Sequence, residues 1–384
     1  MIVGIDASNL RAGGGVTHLR EILGAASPGR FGFRKVIVWC GAETAAQLPA
    51  RPWLEVGHEP LLDGPLPSRV LWQQAVLRRK APRSCDVLLV PGGNAQVPFR
   101  PRVVMSRNML PFDRIERRRY GASWTGARLL ALRQLQARSL SRADGVIFLT
   151  EFAFQSIRPA LGARAPRRTS IIPHGVDARF RADPRPQRAL SACGADDPLR
   201  LTYVSVVAPY KHQWVVAEAV ARLRREGLPL SIDFVGGLED SVSAERLRAA
   251  VRRLDPDGEF LRLRGAVRFQ EVHEFYLRSE LFVFASSCEN MPNILLEAMA
   301  AGLPIACSDR GPMPEVLDDA GVYFDPEDAD DTARALRALA SDHELRARCA
   351  ALASERASSF SWRRCADETF AFLAELARRP AAEA

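Results

Sequence analysis

Residues 281–307 read LFVFASSCENMPNILLEAMAAGLPIAC, and this stretch decides the fold. Leu281 to Ser286 is a short apolar run of the kind that forms a buried strand, and Ser287 to Met291 interrupts it with polar residues. Pro292 is expected to open a helix, because proline is tolerated at a first helical position; Gly302 followed by Pro304 is the matching stop signal. The first-turn amides of Asn293, Ile294 and Leu295 then lack helical partners. They and the helix dipole attract an anion, with ~0.3–1 kcal/mol from the dipole alone, and a phosphate suits the place.

Two glutamates flank that helix start. Glu289 precedes the helix and Glu297 lies more than a turn inside it, so they address different parts of one ligand and are not a matched acid/base pair. Carboxylates accept paired hydrogen bonds from vicinal hydroxyls, as on a ribose or a hexose, and a phosphate would lie between the two. The plain alternative is a solvated loop residue and a surface helix position. Glu297, however, is surrounded by Ile294, Leu295, Leu296, Ala298, Met299 and Ala300, so its helix is apolar nearly all round, and a buried carboxyl needs a partner.

The same segment resembles the E-x7-E element of glycosyltransferase family 4, retaining enzymes of the GT-B fold. The likeness runs through ENMPNILLEAMAAGLPI, SDRGPMPEVL and AGVYFDP, with further similar stretches at IIPHGVDARF (171–180), FVGG (234–237) and LRGAV (263–267). It is strong over 199–328 and looser before residue 140. It implies an α/β protein of GT-B architecture, two Rossmann-like domains facing across a cleft. The expected division is an acceptor-binding domain over 1–177, a linker over 178–198, a nucleotide-sugar domain over 199–361 and a C-terminal helix over 362–384 that crosses back to the first domain.

Composition agrees with this reading. A chain of 384 residues suggests two or three domains by length alone, and 47% apolar residues can build full cores. No apolar run approaches the ~18–20 residues that span a bilayer, and the MIVGIDASN start lacks the pattern of a signal peptide, so a cytoplasmic protein is expected. The seven cysteines are widely spaced, without CxxC pairs, and read as reduced thiols; six scattered histidines offer no metal spacing. The net charge of +8 divides unevenly: residues 1–180 hold 27 basic against 12 acidic side chains, leaving residues 181–384 with 26 against 33. Arg78, Arg79, Lys80 and Arg83, then Arg114, Arg117, Arg118 and Arg119, stand out in the basic half. They are either an arginine-rich solvated face or a contact with an anionic acceptor or the inner face of a membrane; no nucleic-acid signature accompanies them.

Apolar runs at 2–5, 36–39, 87–90, 103–106 and 146–150 alternate with helical patterns and predict a parallel sheet. The rhythm restarts at 201–207, 230–235, 260–264, 281–286, 304–308 and 321–324. Ligands of such sheets bind beyond the carboxyl ends of strands. In the first half that place is the glycine run Gly13-Gly14-Gly15, leading into a helix expected near Thr17, where the absence of Cβ atoms lets backbone approach a phosphate or sugar. In the second half it is the loop around Lys211, with a helix expected from about Gln213. Lys211 is one of three lysines among 53 basic residues, and a cation near a helix N-terminus gains nothing from the dipole unless an anion lies there too.

The chain departs from the family pattern where Val206 replaces a frequent arginine five residues before Lys211, and where Ser106-Arg107-Asn108-Met109 replaces a frequent His-Asp. Arg107 is a candidate substitute for the missing arginine, and Asn108 a candidate partner for a sugar hydroxyl. His174, where asparagine is commoner, reads as a core or hinge residue.

What the resemblance implies is transfer of a hexose from a nucleoside diphosphate sugar to a saccharide or lipid-linked hydroxyl acceptor with retention of configuration, as in cell-surface polysaccharide or glycolipid synthesis. Glu289 would stabilise positive charge on the sugar ring, and Glu297 would hold the ribose hydroxyls. Lys211, the amides of Asn293 and Ile294 and the backbone of Gly14 and Gly15 would stabilise the diphosphate. Asn290 and Met291 would line the donor site and Val267 the base. No metal or other cofactor is expected. The alternatives are a nucleotide-sugar epimerase of the same fold, or a non-catalytic protein that binds a sugar nucleotide or a membrane surface.

Overall fold

The computed structural model describes residues 1–378 apart from 12, 96, 163–165 and 167. Ala12 of the glycine run and residues 379–384 of the expected C-terminal helix therefore lie outside the described residues. The chain divides into two compact units, the first made of Met1–Gly175 with the segment from Ser361 onward, the second of Val176–Phe360.

Unit 1 is built on seven parallel strands: β1 (Ile2–Asp6), β2 (Lys35–Cys40), β3 (Leu54–His58), β4 (Val87–Val90), β5 (Arg102–Met105), β6 (Gly145–Phe148) and β7 (Thr169–Ile171). Their spatial order is β3-β2-β1-β4-β5-β6-β7. Unit 2 holds β8 (Leu199–Val204), β9 (Leu230–Val235), β10 (Leu261–Gly265), β11 (Leu281–Phe284), β12 (Ile305–Ser308) and β13 (Val322–Phe324), in the order β10-β9-β8-β11-β12-β13. Among the described residues the strand pairings are all parallel. Central strands such as Val87–Val90 and Leu281–Phe284 are buried at every position, as strands covered on both faces must be.

Strand order reverses between β1 and β4 in unit 1 and between β8 and β11 in unit 2. At such switch points neighbouring loops diverge and leave a crevice. Lys211 follows β8, and Glu289 follows β11.

Three expectations shift. The helix after the glycine run spans Gly14–Ala25, starting three residues before Thr17, because Gly13 takes φ +67 and serves as its N-cap. Pro292, with φ −82 and ψ 99, is the N-cap of helix Asn293–Ala300 and not its first helical residue. Residues 178–198, read as a polar linker, carry two short turns and are tied to unit 2: Arg185 donates to the carbonyls of Leu277 and Ser279, and Arg188 Nε lies 2.6 Å from Glu280 Oε1. Helix Trp362–Ala377 packs on Gly14–Ala25 within unit 1; a Cβ at Gly145 would stand 2.6 Å from Leu376 Cδ1.

Candidate active site

Lys211 and Glu289 are 78 residues apart in the chain, yet the switch point of unit 2 places them in one ion pair, Nζ to Oε1. The loops that carry them are stitched together. Ser287 N–H donates to Tyr210 O at 2.9 Å, and His212 Nε2 lies 2.8 Å from Ser287 Oγ. His212 has φ +50, a left-handed conformation uncommon for a residue with a side chain, and it caps helix Gln213–Arg225. Tyr203 OH donates to Lys211 O at 2.6 Å, fixing the backbone from below.

The pair is nearly dry. The side chains of Lys211 and Glu289 are 6% and 16% exposed, and the ammonium sits 5.3 Å from the ring centres of both Tyr210 and Phe284. Ser286 OH donates to the same Glu289 oxygen at 2.6 Å. The helix-start lysine is therefore not left uncompensated, as its position alone suggests; Glu289 supplies the negative charge. A shielded lysine held by a carboxylate is a cation that a more highly charged anion can draw from its partner.

Glu297 belongs to a different network. Glu297 is half-buried, and its Oε2 accepts from Tyr276 OH at 3.0 Å, the partner a shielded glutamate requires. Burial pushes its carboxyl up to about 8; the Tyr276 hydrogen bond and Arg179 oppose that rise, and Asp177 adds to it. Of the three first-turn amides, Leu295 N–H already bonds Pro292 O at 3.1 Å, and those of Asn293 and Ile294 have no helical partner. Asn290 and Met291 are buried in the loop between the glutamates, and Val267 is half-buried in the loop that follows β10.

In unit 1, Arg107 donates from Nη2 to Gly14 O, and its Nη1 lies 3.2 Å from where a Cβ of residue 15 would stand. Among the described residues its Nε and Nη1 have no hydrogen-bond partner, and burial pulls the guanidinium down to about 10. Asn108 Oδ1 accepts from Leu110 N–H at 3.2 Å and so shapes its own loop. His174 is buried against His18, Nδ1 to Nδ1 2.7 Å, and both rings meet Trp362 edge-on or tilted at 5.6 Å. Burial, with the Arg107 charge, holds both imidazoles well below the usual histidine range.

Sequence reasoning did not find Tyr276, Ser286, His212 or His18. Ser286 adjoins the motif and could have been read from it; the others are brought in by strand order. Among the described residues no helix is long and apolar enough to cross a membrane, and all seven cysteines are free.

Residues 194–356 match the family model for glycosyl transferases group 1. The fold is GT-B. Over 98% of the chain the structure aligns with 99% of the sucrose-phosphate synthase chain from Thermosynechococcus elongatus at TM-score 0.77 and 18% identity. The Anabaena protein HepE, solved in complex with UDP, aligns at TM-score 0.71 and 17% identity, over 98% of this chain and 100% of that one. Among curated relatives, the D-inositol 3-phosphate glycosyltransferase of Geodermatophilus obscurus is 30% identical over 229 residues, 56% of this chain and 49% of its own length. This chain thus covers about half the length of that relative.

Proposed function

We propose that this protein is a retaining glycosyltransferase that moves a hexose from a nucleoside diphosphate sugar to a hydroxyl acceptor. The observation that carries the reading is the buried Lys211–Glu289 pair at the switch point of unit 2, inside the segment that matches the group 1 family. The UDP in the Anabaena protein's structure supports a nucleotide donor.

On this reading the donor diphosphate takes Lys211 from Glu289 and lies against the amides of Asn293 and Ile294. Glu289 is then free to face the sugar ring. As the bond from the anomeric carbon to the phosphate oxygen breaks, positive charge at the ring meets Glu289 and negative charge on the diphosphate meets Lys211. The acceptor oxygen bonds to the same face of the anomeric carbon, and its proton passes to the departing phosphate. Glu297, ionised when the ribose hydroxyls bind, holds the nucleoside, with Val267 beside the base. In unit 1, Gly14, Gly15 and Arg107 offer backbone and charge to an anionic group, and Asn108 to a hydroxyl. The acceptor is a saccharide or a lipid-linked hydroxyl, and protein groups alone neutralise the diphosphate.

A thermal-shift screen with UDP, GDP, ADP and their hexose conjugates tests the reading, because a ligand at 100 times its dissociation constant adds ~2.7 kcal/mol. The donor that shifts melting should be hydrolysed slowly, and the sugar released or transferred should keep its anomeric configuration by NMR. Binding without any turnover would leave a sugar-nucleotide binder; no shift with any nucleotide would end the proposal.

A further inference from the structure

Unit 1 bears a surface whose chemistry differs from the rest of the molecule. Between Asp63 and Asp86 the chain has no acidic residue and five basic ones, and between Asp113 and Ala143 it has eight arginines against the single Glu116. Glu116 is buried and paired with Arg119, so that pair is neutral and the second segment keeps a balance of +7.

These two segments lie side by side. Gln73, in the first, donates to Asn94 O at 3.5 Å; Ser139, in the second, accepts from Ala95 N–H at 2.6 Å. Both therefore rest on the loop that follows β4. Right-handed crossovers from β3 to β4 and from β5 to β6 run in the same direction across the sheet, which puts both sets of helices on one face.

That face is apolar as well as cationic. Trp124 is 84% exposed, Ile115 63%, and Leu66 and Leu71 57% each, and Leu130 and Leu135 are exposed on the same helix as Trp124, Trp124–Ser141. Of thirteen large apolar side chains exposed among the described residues, seven fall in these two segments. Arg114, Arg118 and Arg128 are exposed, and among the described residues none of them has a carboxylate partner. Exposed arginines of unit 2 such as Arg252, Arg253 and Arg268 are paired instead, with Glu245, Glu218 and Glu271. An amphipathic surface with tryptophan, leucine and unpaired arginine matches the headgroup boundary of a bilayer, where the ring sits at the interface and guanidinium groups meet anionic headgroups.

We propose that this face of unit 1, centred on Ile115, Trp124 and Leu130 and ringed by Arg114, Arg118 and Arg128, docks on anionic lipid membranes. The proposal stands independently of the transferase reading, since it involves none of the residues placed in the donor site. It brings unit 1 to a lipid surface, where an acceptor carrying a lipid tail would be concentrated.

The test is co-sedimentation of the full chain with vesicles of phosphatidylcholine alone and with added phosphatidylglycerol, at low and high salt. Binding is expected only to the anionic vesicles, and it should fall in high salt as the Debye length shrinks from ~10 Å at 0.1 M to ~3 Å at 1 M. Each basic residue near such a surface is worth about fivefold, so the triple change of Arg114, Arg118 and Arg128 to glutamine should weaken partitioning roughly hundredfold. The same triple change at Arg252, Arg253 and Arg268 removes equal charge elsewhere and should leave binding unchanged. Brominated lipid should quench the tryptophan fluorescence of the wild type more than that of Trp124→Phe. Equal weakening by both triple variants, equal binding to neutral vesicles, or quenching unaffected by Trp124→Phe would overturn the proposal. So would sedimentation as a dimer that Trp124→Arg makes monomeric, which would assign the face to a second copy of the chain.

Discussion

Replacing Glu297 by glutamine should make the protein more stable in alkaline solution while weakening nucleotide binding. Burial lifts this carboxyl from the ordinary 4.5 to about 8, so between those values the folded protein keeps a proton that the unfolded chain releases. With the folded value raised, the contribution is whole below about 4.5 and is lost as pH rises through about 8, at up to ~1.4 kcal/mol per pH unit. Over that span the loss amounts to about 3–5 kcal/mol, the lower figure allowing for a carboxyl that is only half-buried. Glutamine carries no charge and its oxygen can still accept from Tyr276 OH. Urea titrations at about pH 5 and about pH 9 should therefore show Glu297→Gln gaining on the wild type as pH rises. Nucleoside diphosphate binding near neutrality should also release close to one proton in the wild type and none in the variant, read by calorimetry in buffers of different ionisation enthalpy. A stability difference that stays within ~0.5 kcal/mol across that range would refute the reasoning, because it would mean the carboxyl is already ionised in the folded state.

Lys211→Met strands Glu289 with only the Ser286 hydroxyl, and should cost about 3 kcal/mol by chemical denaturation. Adding Glu289→Gln should recover much of that, and a non-additive cycle is the check. Turnover of Lys211→Met with donor should fall ~10²–10³, and unaltered turnover would remove Lys211 from the chemistry. Glu289→Gln should lower turnover with little effect on nucleotide affinity, whereas Glu297→Gln should weaken free nucleotide and full donor alike by ~1.5–3 kcal/mol; matching affinity losses in calorimetry would sink that division of roles. Gly236→Ala places a Cβ 2.0 Å from Ser205 O at φ +147, and should cost at least ~3 kcal/mol in a melting experiment.

The parallel architecture was legible because central strands are continuous apolar runs, as Val87–Val90 and Leu281–Phe284 are. Strands β3 and β7 were not. Leu54–His58 lies at a sheet edge with its side chains largely exposed, and its LEVGH sequence has no reason to be apolar throughout; Thr169–Ile171 is a three-residue edge. The site was half legible. The motif places Glu289 and Glu297 about one helix start, which is local information, and the apolar ring around Glu297 foretold a shielded carboxyl, which is half-buried against Tyr276. The Lys211–Glu289 pair depends on β8 lying beside β11, and the His18–His174 contact on residues 156 apart, so no spacing along the chain could reveal either.

The return of the chain to unit 1 separates order of synthesis from order of folding. Trp362, Cys365, Phe370, Phe372 and Leu373 of helix Trp362–Ala377 are buried in unit 1, yet they leave the ribosome after all of Val176–Phe360 has been made. Unit 2 is contiguous and can close as soon as it emerges. Unit 1 must wait, with the groove along Gly14–Ala25 and Gly145 open to solvent, for a segment that arrives after unit 2. A nascent chain stalled before residue 361 should thus hold a finished second unit and an unfinished first one, and the exposed seam of unit 1 is where a chaperone would find it.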